Sequence, residues 1–335
     1  LRDLHQTAIA QADEDHAQHL QRIVSDLARS LASAGSERRP RVIRHGSTST
    51  EVVVDRPDSY APPGWRSSAD GSIWSFDGGP LAETVLGHCP APLLVTVGQP
   101  EDDAQLYLDL EADGLTALVA DVGTANGVAR SILTELALSP LVDTLRVIAV
   151  GNLAADADGV FEHLTVAATW ASIADDLVAW ATQSSGSLAS QPSSTTLAAR
   201  SGDPDHDAFT PIAVIADSPP PEDLVATLRA ALPSAVAIVT VGDFPGAVGR
   251  IHCEPEALTF DRIDLACTPQ VLLGDELSQM AELLTSASTP MAESEVDGWL
   301  LAEVDGEAAG VAGTMHYGPF AYIGLVGVSP AFRRR

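Results

Sequence analysis

The chain has 335 residues, 45% of them apolar, so it is long enough for two or three domains with sizeable cores. Its 46 acidic residues against 18 basic ones give a net charge of −28, and a surface this negative repels phosphate backbones, which excludes nucleic-acid binding by the bulk of the chain. No uncharged apolar run reaches the roughly 18 residues that a membrane-spanning helix needs, so no span and a cytoplasmic location are expected.

In chain order, residues 1–34 read as a helix. Leu4, Ile9, Leu20, Ile23, Val24, Leu27 and Leu31 recur at three-to-four spacing, and Gly35 ends the run. Short strands follow at 41–45 and 51–54, joined by the turn-rich Gly46, Ser47, Thr48 and Ser49. Another strand is expected at 72–76, after a loop holding Pro57, Pro62, Pro63, Gly64 and Trp65. From Pro92 apolar strands alternate with helical patterns: strands at 93–97, 105–110, 116–120, 145–150 and 164–168, and helices at 125–138 and 175–182. Residues 183–208 are rich in Ser, Thr and Asp with almost no large apolar side chain, which predicts a flexible insertion. The alternation resumes with strand 212–216, helix 222–232, strand 236–241, extended pieces around 250–253 and 263–266, and helix 275–286. This pattern predicts an α/β fold, a mostly parallel, P-loop-like three-layer sheet with flanking helices. The last strands, 299–304, 308–316 and 322–328, predict a small antiparallel C-terminal β meander turning at Asp305-Gly306 and Gly318-Pro319. Three regions are expected: 1–90, a helix and small β region; 91–288, the α/β domain; and 298–335, the meander.

Cys89, Cys253 and Cys267 are too few and too widely spaced for a disulfide framework or a zinc site, and read as buried free thiols. His16 and His19 share a helical face among Asp13, Glu14 and Asp15, on a solvated stretch. Two basic islands, Arg38, Arg39, Arg41 and Arg44, and Arg333, Arg334 and Arg335, read as local solvated charge. There is no Gly-x-Ser-x-Gly elbow and no nucleophile–base pair, so no catalytic residue and no metal ligand is assigned.

A phosphate loop requires glycines that let backbone N–H groups close on phosphates. It also requires a Lys for the β and γ phosphates and a Ser or Thr hydroxyl for magnesium, all between a buried strand and a helix start. Residues 116–120 and the helix after Asn126 supply that context. Laid ungapped on this spacing, Asp121 and Asn126 take the two Gly positions, Gly127 the Lys position and Val128 the Ser/Thr position. All 18 basic residues are Arg and the chain has no Lys anywhere, so a shifted register rescues nothing. A degenerate phosphate loop of Asp121, Gly123, Thr124, Asn126 and Gly127 is expected, its Asp121 repelling phosphate. The strand 211–217 ends in Asp217 as a Walker B strand does, although many α/β strands end in Asp and Ser218 replaces the usual second acid; Asp217 is the degenerate Walker B candidate.

These residues carry a resemblance. Pro92 to Gly98, Leu108 to Ala112 with Gly114, Glu135-Leu136, Ser139-Pro140 and Leu145 to Gly151, together with Pro62 to Trp65 and Ile73-Trp74, make residues 1–288 resemble the middle region of large actinobacterial proteins. Those proteins carry LysM and bacterial transcriptional activator domains. That region is in turn similar to a decayed P-loop ATPase domain of the FtsK/EssC type. The resemblance implies a regulatory or scaffolding piece of a larger, envelope-associated and membrane-anchored protein that works through protein partners, with nucleotide hydrolysis lost and no cofactor. The Arg-only usage agrees with a GC-rich genome. Residues 298–335, through Gly298 to Gly306, Ala321 to Pro330 and Arg333 to Arg335, resemble the middle of a GNAT N-acetyltransferase. Under that alternative, Leu325, Val326, Gly327, Val328 and Arg333 would bind acetyl-CoA. The chain stops before the glycines that such a site requires. A third reading is a pure protein-interaction module whose contacts lie on 1–34 and 183–208.

Overall fold

The computed structural model describes the backbone of residues 14–288 and 298–328 outside 47–48, 77–80, 82–88, 103, 140–143, 162, 192–193, 204–205, 262, 305–306 and 318–319. Side chains are described within 18–285, position 156 excepted. Helix α1 (Glu14–Ser33) comes first, followed by β1 (Pro40–His45), β2 (Thr50–Val54), β3 (Arg66–Ser67) and β4 (Ile73–Phe76). Next are β5 (Leu94–Gln99), β6 (Gln105–Asp109), the single turn α2 (Leu110–Asp113), β7 (Leu115–Ala120) and α3 (Val122–Ala137). Then follow β8 (Arg146–Val150), β9 (Leu164–Ala167), α4 (Ala174–Ala189), α5 (Thr196–Gly202), β10 (Ile212–Ala216), α6 (Glu222–Ala230) and β11 (Val236–Val241). β12 (Gly249–Glu254), β13 (Ala257–Phe260), β14 (Ile263–Pro269) and α7 (Gly274–Ser288) follow.

Fourteen strands form one mixed sheet in the order β3-β4-β2-β1-β6-β5-β14-β13-β12-β7-β11-β10-β8-β9. From β12 to β9 all neighbours are parallel; from β3 to β12 they are antiparallel. The expected parallel α/β sheet is therefore present as one half of a larger mixed one. Its strands are buried on both faces, which is why they read as continuous apolar runs rather than alternating ones. One face of β7, β8, β10 and β11 packs on Leu177 and Ala181 of α4 and on Leu224, Val225 and Leu228 of α6. The opposite face is covered by α3, whose Val128, Ile132 and Leu133 are fully buried. A second core joins Leu20, Ile23, Val24, Leu27 and Leu31 of α1 to Trp74, Tyr107 and Leu197.

Contacts divide the chain into Leu1–Ala281 and Glu282–Arg335. β1 pairs with β6 over Val42↔Leu108 to His45↔Gln105, so one sheet continues across residue 90. The second unit is a three-stranded antiparallel meander of β15 (Gly298–Val304), β16 (Glu307–Tyr317) and β17 (Phe320–Val328). Its register slips by one residue between Gly313↔Leu325 and Thr314↔Ile323, leaving Gly324 as a bulge. Its two expected turns lie outside the described residues.

The insertion 183–208 is the clearest departure from expectation. Helix α4 runs on to Ala189 and α5 follows, capped by Thr195, whose hydroxyl accepts from the Ala198 N–H at 3.2 Å. Buried polar pairing supplies here what apolar side chains do not. The Arg200 guanidinium donates twice to the Glu111 carboxylate at 2.6 Å, and Nε donates to the Phe209 carbonyl at 2.9 Å. The island at 38–44 is likewise turned inward. Arg41 donates to Asp113 at 2.6 Å, Arg38 to Asp58 at 3.0 Å, and Arg44 pairs with Glu51 and Asp102. Cys253 and Cys267 are buried free thiols, and burial pushes both up to about 12, so neither is a thiolate near neutrality.

Two carboxylates give the fold a pH signature. Glu135 of α3 accepts from the Thr96 N–H and hydroxyl of β5 at about 3.0 Å, and burial pushes it up to about 7. Burial, followed by the neighbouring Glu111 charge, also holds Asp109 well above the usual carboxylate range. Both groups bind their protons more tightly folded than unfolded, so stability is greatest at the acid side of the window and falls as pH rises from about 4.5 to 7. Denaturant midpoints are expected to be higher at pH 5.5 than at pH 8. Glu135→Gln should remove roughly 2 to 3 kcal/mol of that slope. An unchanged slope in the variant would assign the effect elsewhere.

Candidate functional site

The carboxyl ends of the parallel strands, where open α/β sheets bind ligands, gather Asp121 after β7, Gly151 and Asn152 after β8, Asp217 after β10 and Asp243 after β11. β7 and β10 are separated only by β11, so their ends stand roughly 10 Å apart.

At the first of these ends there is no loop. Ala120, the last residue of β7, has φ +82°, a left-handed conformation that an alanine adopts only under strain and that turns the chain at once. Asp121 is then the N-cap and α3 starts at Val122. Its carboxylate accepts from the Thr124 N–H at 2.7 Å and the Thr124 hydroxyl at 2.8 Å, and the Thr124 N–H is the larger of the causes that hold it below the usual carboxylate range. The Asp121 carbonyl accepts from the Ala125 N–H at 2.9 Å. Of the expected phosphate-loop residues, Gly123, Thr124, Asn126 and Gly127 all lie within the first turns of the helix. The Thr124 N–H is thus engaged in capping, with an internal anion at the amino end of the helix.

Gly127, at the lysine position, is covered as well. The segment between β14 and α7 crosses it, with the Leu272 N–H donating to the Gly127 carbonyl at 3.0 Å. A Cβ on Gly127 would stand 3.0 Å from Val271 Cβ.

Asp217 is committed to a structural bond. Its Oδ2 accepts from the Asn152 N–H at 2.8 Å and its Oδ1 from the Ser218 hydroxyl at 3.1 Å. Gly151 makes this approach feasible: its φ is +87°, and a Cβ there would lie 2.3 Å from the Asp217 carboxylate. Asp243 is paired with Arg250 at 2.8 Å. Among the described residues no group of three or more metal-ligating side chains is present.

The acetyl-CoA candidates Leu325, Val326, Gly327 and Val328 lie in β17, paired with Gly313, Ala312, Val311 and Gly310 of β16. Their side chains and Arg333 are outside the described residues. Sequence reasoning passed over Arg130, Asn152 and Asp275, which line one open cleft. Each comes from a different element and no spacing in the sequence relates them.

No protein-family profile matches the chain, and no curated protein matches it. Solved structures do. ATPases 2 and 3 of EccC from Thermomonospora curvata, in complex with a signal sequence peptide, are similar over 59% of this chain and 48% of that one, at 15% identity and TM-score 0.45. The pCW3 conjugation coupling protein TcpA with ATPγS is similar over 79% and 99%, at 12% identity and TM-score 0.41. ATPases 2 and 3 of EssC from Geobacillus thermodenitrificans are similar over 62% and 52%, at 13% identity and TM-score 0.40. The chain spans about half of the EccC and EssC structures. Neither the LysM and transcriptional-activator resemblance nor the acetyltransferase one has a counterpart among these structures.

Proposed function

We propose that this chain is a non-hydrolysing α/β domain, built on a P-loop-like frame, that serves a larger envelope-associated protein as a regulatory or scaffolding element. The observation that carries the reading is Asp121. Its carboxylate caps α3 at the place where a phosphate would sit, and a second anion there would meet like charge with no lysine to offset it. The absence of Lys from the whole chain and the cover over Gly127 support the same reading. Envelope association rests on the sequence resemblance, and partners are expected to be proteins.

Calorimetric titration of the chain with Mg-ATP is expected to give no saturable heat. Gly127→Lys, which supplies the missing residue, is expected to leave ATP turnover at zero and to cost about 1 to 3 kcal/mol of stability by overpacking Val271. Saturable, magnesium-dependent ATP binding abolished by changing Gly123 or Asn126 would sink the proposal.

A further inference from the structure

An open β-sheet has two edges, and each presents a row of backbone N–H and C=O groups that another chain can pair with. The large sheet ends at β3 and β9, and the small sheet of the second unit ends at β15 and β17. Three of these edges are blunted. β3 has two residues, one of them Arg66. β9 has four residues, below the usual length of a strand. β15 carries Glu303 at a break in its register with β16.

β17 is different. It is nine residues long, from Phe320 to Val328, and holds no charged residue and no proline. Among the described strands it pairs only with β16. Its one protective device is the bulge at Gly324, which leaves Phe320–Ile323 and Leu325–Val328 in regular register on either side. In an antiparallel pair, alternate residues direct their N–H and C=O groups away from the partner, so about half of the backbone groups of β17 belong to its free edge. A three-stranded sheet is also near the lower limit of independent stability, and added strands raise it.

Charge identifies the occupant. Between Gly298 and Arg335, the acidic Glu303, Asp305 and Glu307 are balanced by Arg333, Arg334 and Arg335, so the whole net charge of −28 precedes residue 298. Two copies of this chain repel each other through the acidic part. The segment that carries β17 is a stretch over which they meet without that penalty. A strand that pairs antiparallel with its own copy makes a two-fold contact, which closes at a dimer and does not propagate into a fibre.

We propose that β17 pairs antiparallel with β17 of a second copy, so that two meanders form one sheet in the order β15-β16-β17-β17-β16-β15. Closure leaves β15, with Glu303 in it, as the edge at both ends. The contact is independent of the phosphate-loop reading, since it uses none of those residues.

The test uses the whole chain. Sedimentation equilibrium is expected to show a monomer–dimer equilibrium that saturates at twice the mass of one chain. Hydrogen exchange of residues 320–328 is expected to slow by roughly tenfold or more from dilute to concentrated protein, with β9 and β15 unchanged. Leu325→Lys and Val326→Lys, at positions on opposite faces of the strand, should each weaken dimerisation by roughly tenfold or more, since lysine is a residue that natural edges use to prevent pairing. Thr165→Lys in β9 should leave it unchanged. A chain that stays monomeric up to about 1 mM overturns the proposal. So does a dimer whose exchange in β17 ignores concentration, or assembly beyond the dimer. Protection of β17 in a monomer by acetyl-CoA alone also overturns it, since that result assigns the edge to a cofactor.

Discussion

Arg200→Ala is expected to cost the fold about 3 to 5 kcal/mol, the range for removing one partner of a buried ion pair. The Arg200 side chain is 5% exposed and that of Glu111 is 4% exposed, and they are joined by two bonds of 2.6 Å. Without Arg200, the Glu111 carboxylate keeps only the Thr196 hydroxyl at 3.0 Å among the partners described. A carboxylate left in that position is an uncompensated buried charge. Asp109, already held above the carboxylate range by burial and by the Glu111 charge, would lose the Arg200 field that now opposes those effects. The damage should be steeper at pH 8 than at pH 5.5, because protonation relieves it. Urea denaturation at the two pH values checks both the size and the sign. The double variant Arg200→Met with Glu111→Leu should recover most of the loss, since exchanging both partners for apolar groups of similar volume leaves no orphaned charge. A loss below about 1 kcal/mol for Arg200→Ala would mean that α5 is not anchored by this pair.

Gly98→Ala is expected to be destabilising by about 3 kcal/mol, although it adds a single methyl group. Gly98 sits where β5 meets β14, the only pairing among the described strands that joins β3-β4-β2-β1-β6-β5 to the rest of the sheet. That seam is short, with Thr268 opposite Gln99, Pro269 opposite Gly98, and the Gln270 N–H donating to Val97 O at 3.0 Å. A Cβ on Gly98 would lie 2.1 Å from the Thr268 carbonyl oxygen and 2.8 Å from Cys267 Sγ. The obstacle is backbone, so the strands themselves must separate. Gly186→Ala provides the control. Gly186 is inside α4 with nothing within 4 Å of its Cβ position, so alanine should gain roughly 0.5 to 1 kcal/mol through helix propensity. Equal and small effects at both positions, measured by denaturant midpoint, would show that the seam tolerates widening.

Periodicity and burial account for what was legible beforehand. The strands β7, β8, β10 and β11 are shielded on both faces, so their apolar runs announce themselves within one or two residues of their observed limits. The meander was legible for the opposite reason, its short strands being separated by turn residues. The short strand β13 was missed because Ala257–Phe260 alternates too briefly to stand out between its neighbours. The helix start at Val122 was misplaced because Gly123 and Gly127 suggest a loop. The Asp121 cap and the tight turn at Ala120, φ +82°, make one unnecessary.

By itself, the sequence determined that this is an acidic α/β chain with no lysine to place on a phosphate. Those properties depend on residue type and local spacing, which survive without knowledge of the fold. The tertiary structure decided which polar groups meet. It brought Arg200 to Glu111 across 89 positions, laid Leu272 over Gly127 and bound Asp217 to the Asn152 N–H. Such contacts arise where strands and helices far apart in the chain converge, and a buried charge is specified by its partner rather than by its neighbours in sequence.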